Sequence, residues 1–467
     1  MYEINLNQPI NIYFIGIGGI SMSGLAELLL EKGFKVSGSD SKESELTEAL
    51  VAKGATIYYD QSVSHISADI DVVVYSAAIR PGNADLDDAN AKQIPLLTRA
   101  ELLGQVMRAY DIPIAISGTH GKTTTTSMVS EILMEAGVDP TLSVGGILPS
   151  IGGNFRIGSG NHFVTEACEY TNSFLSFYPK IEIILNIDED HLDFFKDIWD
   201  IRNSFNKFVQ LLPADGLLII NAAIDDLSGF LSNVDKPVIK VGGTSTNPAD
   251  TDYYSTNLTT DDRGCYSFDV ICNLADYPQS RSVKLGVPGV HNVDNALAAI
   301  ALSDYLGIPF EAVTKVLSGF SGSKRRFEYK GTLEGFTIYD DYAHHPTEIA
   351  ATLSATTKIS HNDLWVIFQP HTYTRTKALM DSFAEVLSKS DHVILPDIYP
   401  ARETDNLGIS SEDLCKLIKE LNPKCDCHYI PSFEEIEKFV LQNCTKNDML
   451  ITMGAGDVVK IGESLLE

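Results

Sequence analysis

The sequence predicts an α/β protein built from three domains, and three observations carry that class. Short apolar strands alternate with helical stretches along most of the chain, the pattern of a parallel sheet flanked by helices. Two of the strands run directly into glycine-rich loops that open helices. Dense polar clusters follow apolar strands in the last third, at the strand ends where such sheets build their sites. The 467 residues also exceed one ordinary core, since domains usually run to roughly 100–200 residues.

In the first domain, residues 10–15 read as a strand, GIGGISMSG follows at 16–24, and a helix over 25–31 stops at Gly33. Further strands are expected at 34–37, ending near Asp40, at 71–75 and around 94–97. A second domain starts near Tyr110 with a buried strand at 112–117, the run GTHGKTTTT and a helix over 124–136 that Gly137 ends. Strands follow at 162–165 and 181–187; residues 244–285, rich in Thr, Asp and Tyr, read as hairpins; 291–306 is a helix with small residues on one face. The third domain shows strands at 336–339, 364–368, 392–395 and 449–452 with helices between them. Boundaries near Arg108 and Lys324 give domains over 1–108, 109–323 and 324–467.

Lys and Arg number 35 against 63 Asp and Glu, a formal charge of −28. Such a surface repels nucleic acid and anionic membranes, so neither is an expected partner. No apolar run approaches the ~20 residues that span a bilayer. The start has no basic segment ahead of a long apolar core, so no secretion signal is expected. Seven scattered cysteines, with Cys425 and Cys427 too close for a zinc pair, fit reduced thiols in the cytoplasm.

The sharpest motif runs from Ser117 to Thr124, SGTHGKTT, between a strand and a helix. Its glycines let backbone N–H groups close around phosphate oxygens, and the helix N-terminus adds partial positive charge. Lys122 is the expected partner of the β- and γ-phosphates, and the Thr123 hydroxyl an expected Mg²⁺ ligand. The usual P-loop has glycine where this chain has Ile116, so the loop is a variant. The first glycine loop invites a rival reading, an NAD(P)-dependent oxidoreductase with Asp40 on the ribose, but Ser21 stands where the third glycine belongs. A second nucleotide-type domain beside a P-loop points instead to a nucleotide-linked substrate. Glu166 and the run Asn186–His191 each follow an apolar strand and are metal candidates; DDYAHHP (340–346) and QPHTYTRT (369–376) crown the third domain, with Arg375 suited to a carboxylate.

FIGIGGISMSGLAELL, GTHGKTTTT, NIDEDHLD, GVHNVDNALAA, DDYAHHPTE, FQPHTYTRTK, DIYPARE and MGAGD, in this order along nearly the whole chain, resemble the signatures of the Mur ligases of peptidoglycan synthesis. The resemblance implies a Rossmann-like N-terminal domain that binds a UDP-sugar, a central P-loop ATPase domain and a Rossmann-like C-terminal domain that admits an amino acid. It is nearest to the branch that joins L-alanine to UDP-N-acetylmuramate, with ATP and Mg²⁺. Carried onto matching positions, Gly118, Thr119, His120, Gly121, Lys122, Thr123 and Thr124 hold the ATP phosphates, and Asn292 and Asn295 approach the adenine. Arg326 and Asp341 complete the nucleotide site, and Thr123, Glu166 and His191 bind or flank Mg²⁺. Tyr342, His344 and Arg375 hold the amino acid, and Gly18, Gly19, Ser21 and Ser76 line the UDP-sugar pocket. Lys122, Glu166, His191, His344 and Arg375 are the expected catalytic groups, with His191 and His344 both open as the base for the amine.

Two departures matter. Thr372 stands where the family often has Arg, which shifts carboxylate recognition toward Arg375, and Lys207 lacks the spacing of the carbamylated lysine found in several relatives, so none is expected. The resemblance further implies a cytoplasmic monomer or weak dimer. A ligase that recycles a preformed tripeptide onto the same sugar is the alternative within the family.

Overall fold

The computed structural model describes residues 2–76, 79–192, 194–243, 246–274, 279–401 and 403–467. Of the predicted features, Asp193 in NIDEDHLD, Arg402 in DIYPARE and residues 244, 245 and 275–278 of the hairpin region lie outside that set. The chain forms two compact units, one of residues 1–189, 197–240 and 301–309, the other of 190–196, 241–300 and 310–467.

The first unit opens with β1 (Asn11–Ile15), α1 (Ile20–Glu31), β2 (Lys35–Ser39), α2 (Glu45–Ala52), β3 (Thr56–Tyr58), β4 (Val72–Tyr75), α3 (Ala84–Ala91), β5 (Leu96–Thr98) and α4 (Arg99–Met107). The five strands pair in parallel in the order β3-β2-β1-β4-β5. The order reverses between β1 and β4, so the loop after β1 lies at the switch point where doubly wound sheets bind nucleotides. This is the Rossmann-like sheet the alternation predicts.

The helix after β1 starts five residues earlier than expected, at Ile20, because the turn needs only Gly16–Gly19. Gly24 is therefore helical, and its role is packing rather than turning: a Cβ there would stand 2.3 Å from Cγ of Phe155.

The same unit continues with β6 (Ile112–Ser117), α5 (Lys122–Glu135), β7 (Thr141–Leu148), β8 (Gly153–Arg156), β9 (His162–Glu166), β10 (Ile181–Ile184), α6 (Ile198–Val209), β11 (Leu217–Asn221) and α7 (Leu227–Leu231). Strands β11-β10-β6-β9-β7-β8 lie side by side, all parallel except β8. Strand β10 is shorter than the expected 181–187, because at Asn186 the chain turns to bond the phosphate loop. The β7–β8 hairpin escaped the sequence reading: its glycines broke the apolar pattern.

Strand β12 (Val238–Gly242) leads into the second unit, whose β13 (Tyr253–Thr260), β14 (Cys265–Cys272) and β15 (Gln279–Pro288) form the expected antiparallel meander. Helices α8 (His291–Tyr305) and α9 (Phe310–Gly319) follow. The remaining elements are β16 (Glu328–Leu333), β17 (Phe336–Asp341), α10 (Pro346–Thr356), β18 (Leu364–Phe368), α11 (Tyr373–Ala378), α12 (Met380–Leu387), β19 (His392–Leu395), α13 (Ser411–Leu421), β20 (Asp426–Tyr429), α14 (Phe433–Asn443), β21 (Met449–Met453) and α15 (Val459–Leu466). Their sheet runs β16-β17-β21-β18-β19-β20, parallel apart from the edge strand β16. Its central strands β18 and β21 are buried throughout, and apolar clusters pack on both faces. Among the described residues no helix is long and apolar enough to cross a membrane.

Candidate active site

In the first unit the site grows from β6. Its last residue, Ser117, donates its hydroxyl to Ile183 O at 2.9 Å, and the chain then turns through Gly118 (φ +137°) and Gly121 (φ +82°) into α5. Gly121 caps α5 without a side-chain bond, which leaves the first-turn N–H groups for an anion. Between the glycines the loop is tied to the chain after β10. The His120 N–H donates to Asn186 Oδ1 at 2.7 Å, and Asn186 Nδ2 donates back to His120 O at 3.0 Å. The Asp188 N–H donates to Thr119 Oγ1 at 2.9 Å.

Two charged contacts complete this part. The Thr123 hydroxyl donates to Glu166 Oε2 at 2.9 Å, and the same oxygen accepts the Gly145 N–H at 3.0 Å. Lys122 Nζ lies 3.1 Å from Glu169 Oε2 and also donates to Gly118 O and Thr119 O. Burial opposes the Lys122 charge, but the fields of Glu169, Cys168 and Glu166 outweigh it and hold the ammonium above its usual range. The acid Glu169, only 2% exposed, escaped the sequence reading, and Asn186, expected only as part of a metal-candidate run, ties the loop instead. Nothing local marks Glu169 as the partner of a lysine 47 positions away.

The expected phosphate-loop residues and Glu166 thus meet in one place. A hydroxyl and a carboxylate side by side at the C-terminal edge of a parallel sheet suit Mg²⁺, which takes few protein ligands and keeps its waters. Replacing Glu166 by Gln keeps the hydrogen bonds and removes the charge. The expected outcome is a rise of roughly tenfold or more in the Mg²⁺ concentration that half-saturates activity, read by titrating Mg²⁺ at fixed ATP.

At the first glycine loop, Asp40 Oδ2 accepts the Gly18 N–H at 2.8 Å, and its Oδ1 accepts the Ser41 N–H at 2.7 Å. The acid that a redox cofactor's ribose would need is engaged in closing the turn. Ser21 lies in the first turn of α1, and Ser76 follows β4 at the same sheet edge.

In the second unit a second group of expected residues converges. Arg375 Nη2 lies 3.6 Å from Asp190 Oδ1, and Arg375 Nη1 lies 3.4 Å from His371 Nδ1. The His344 ring stands 6.1 Å from that of His371 and 5.3 Å from that of Tyr342. Arg326 lies over Tyr342, 5.2 Å from the ring centroid. Asp341 accepts the Ala343 N–H at 2.9 Å and the Thr352 hydroxyl at 2.8 Å; burial pushes its pKa up to about 6 despite Arg326. His191 holds φ +54°, its N–H donating to Asp190 Oδ1 at 2.6 Å. Burial disfavours ionised Asp190, yet His191, Arg375 and His345 prevail and keep its pKa below the usual value. Thr372 caps α11 at φ +64°, ψ 145°, a costly conformation for a β-branched residue, and its hydroxyl accepts the Arg375 N–H. Asn295 donates to Asn292 Oδ1 at 2.9 Å, and Asn292 to Pro288 O at 2.7 Å, at the start of α8.

Known proteins resemble this chain along its whole length. Residues 11–111 match the Mur ligase family catalytic domain, 116–303 the Mur ligase middle domain and 325–456 the Mur ligase glutamate ligase domain. A protein of Lachnospira eligens named UDP-N-acetylmuramate–L-alanine ligase is 56% identical over 467 residues, covering 100% of both chains. One of the same name from Agathobacter rectalis is also 56% identical over 467 residues, again 100% of each. The crystal structure of UDP-N-acetylmuramate–alanine ligase MurC from Thermotoga maritima aligns with a TM-score of 0.80 at 29% identity, covering 98% of each chain. A murein peptide ligase from Psychrobacter arcticus aligns with a TM-score of 0.72 at 26% identity, also over 98% of each. The chain belongs to the Mur ligase family.

Proposed function

We infer that this chain joins L-alanine to the lactyl carboxylate of UDP-N-acetylmuramate at the expense of ATP, releasing ADP and phosphate. The observation that carries the reading is the phosphate loop whose lysine and threonine sit beside Glu169 and Glu166. In a family of ATP-dependent ligases this set transfers a phosphoryl group to a carboxylate, and the relatives at 56% identity bear the alanine-adding name. The domains over 1–108, 109–323 and 324–467 would serve the UDP-sugar, ATP and the amino acid, and the nucleotide substrates assign the reaction to the cytoplasm.

In this mechanism the loop amides and Lys122 bind the β- and γ-phosphates. Thr123 and Glu166 hold Mg²⁺, with His191 the remaining candidate; the ion when bound neutralises phosphate charge. The carboxylate attacks the γ-phosphorus to give an acyl phosphate, the alanine amine attacks the acyl carbon, and phosphate leaves. Arg375 receives the amino-acid carboxylate and Asp190 its ammonium group, while Asn292, Asn295, Arg326 and Asp341 serve the nucleotide.

His344 is the better candidate for the base. Its Nδ1 lies 3.0 Å from Tyr342 O, and a carbonyl only accepts, so the ring proton sits on Nδ1 and the Nε2 lone pair is left for the amine. Burial, reinforced by Arg375 and only partly offset by Glu348, holds its pKa below the usual 6.5, so the ring is neutral at pH 7. A base acts when deprotonated, so kcat/KM should fall only as pH drops below 6.5. His344→Gln should abolish that acid limb and lower kcat by roughly 10²–10⁴-fold, as a pH–rate profile would show.

The activity itself is tested by phosphate release with UDP-N-acetylmuramate, with and without L-alanine, beside an NADH absorbance control. Phosphate that requires both substrates supports the ligase. A change in NADH absorbance without phosphate would overturn it, and release with a tripeptide but not with L-alanine would favour the recycling enzyme.

A further inference from the structure

One cation of the first unit has no job in the mechanism above. Arg99 is the first residue of α4, behind the capping pair Thr98 and Glu101. Its Nη1 donates to Ser21 Oγ at 3.0 Å, in the first turn of α1. Among the described residues it forms no ion pair with a carboxylate, although a guanidinium carries five donors and is charged at any physiological pH. Burial works against its charge, and the nearest fields that favour it are those of Cys168 and Glu166.

Its position is fixed from two sides. Helix α1 packs on β7 and β8, so closely at Gly24 that a methyl group would overlap Phe155. Helix α4 packs on the 3₁₀ segment Tyr170–Ser176, where a Cβ at Gly104 would stand 1.9 Å from Ser176 O. The strand under α1 is the one whose Gly145 N–H bonds Glu166. Arg99 is therefore held between the glycine-loop helix and the acid beside Thr123.

We propose that Arg99 receives the reacting carboxylate of the sugar nucleotide and holds it for phosphoryl transfer. This rests on the substrate reading given above. Such a group has a clear task. The substrate acid must come up to a site that already contains Glu166, and beside Mg²⁺ a fixed cation on the glycine-loop side offsets the repulsion between the two carboxylates. A guanidinium suits the task, because its planar fork matches a carboxylate and can follow it as it becomes an acyl phosphate. The diphosphate of the same substrate has other donors, the uncapped N–H groups at the start of α1.

The test uses two sugar nucleotides that share the diphosphate and differ in the acid. The full-length parent, Arg99→Gln and Arg99→Lys are titrated calorimetrically with UDP-N-acetylmuramate and with UDP-N-acetylglucosamine, which lacks the lactyl group. Arg99→Gln should weaken UDP-N-acetylmuramate roughly 10- to 100-fold and leave UDP-N-acetylglucosamine unchanged. Arg99→Lys, which keeps charge but loses the fork, should fall between, and kcat should drop in the same order. Equal weakening of both ligands, or of neither, overturns the assignment. Unchanged binding of UDP-N-acetylglucosamine also shows that the variant is folded. A parent that binds the two alike would instead sink the substrate reading, a failure visible before any variant is made.

Discussion

Lys122→Ala should reduce phosphate release by roughly 10³-fold, as loss of a positioned charge in a phosphoryl-transfer site does. The same change should also destabilise the ligand-free protein. Glu169 is 2% exposed, and Lys122 is its ion-pair partner at 3.1 Å. Removing the lysine takes the ion-pair partner at 3.1 Å from a buried carboxylate, a loss of about 3–5 kcal/mol. A second substitution separates the two effects. Lys122→Ala with Glu169→Ala should regain most of the lost melting temperature, because the buried acid goes with its cation, and should regain no activity. Thermal melts and phosphate release on the four members of this cycle decide the matter. Recovery of turnover in the double variant would show that Lys122 serves the fold and not the phosphates.

The other large effect lies away from the chemistry. Glu182 sits in the middle of β10, paired with Ala115 on β6 and Leu218 on β11. It is 0% exposed, and neither carboxylate oxygen has a hydrogen-bond partner among the described residues. Burial raises its pKa well above the ordinary 4.5. The unfolded chain ionises at the ordinary value, so the group favours the fold most below pH 4.5 and loses that contribution as pH rises toward the folded pKa. Around neutral pH the carboxyl is a net cost. Glu182→Met, of similar length and apolar, should add about 1–3 kcal/mol at pH 7, and the gain over the parent should shrink on acidification. Denaturant melts at pH 4.5 and 7 test this; a gain that grows on acidification would contradict it.

What could be read from the sequence follows from how local each signal is. Lys122 and Thr123 belong to one contiguous motif whose context, strand then helix, is itself local. Tyr342, His344 and Arg375 were found because each falls in a dense polar run directly after an apolar strand. Arg99 and Glu169 carry no such mark, and Asn186 opens such a run without any sign of its partner. Arg99 meets Ser21 across 78 positions, and Asn186 meets His120 across 66. Single polar residues acquire meaning only when the fold brings their partners to them. Glu182 was hidden for the opposite reason: in the run IEIILN one acid among isoleucines reads as an ordinary polar face, and only the burial of every residue of β10 reveals that both faces are covered. The early start of α1 shows a further limit. Glycines signalled a loop through Gly24, but that glycine exists for Phe155 and not for the turn.

The stitching of His120 and Thr119 to the chain beyond β10 has a practical consequence for ligand design. A cradle whose shape is held by the fold's own hydrogen bonds has spent its conformational freedom during folding. A compact polyanion that imitates only the triphosphate tail should then bind with useful affinity without an adenine to anchor it. Inhibitors grown outward from such a fragment would start from a rigid mould rather than from a moving target.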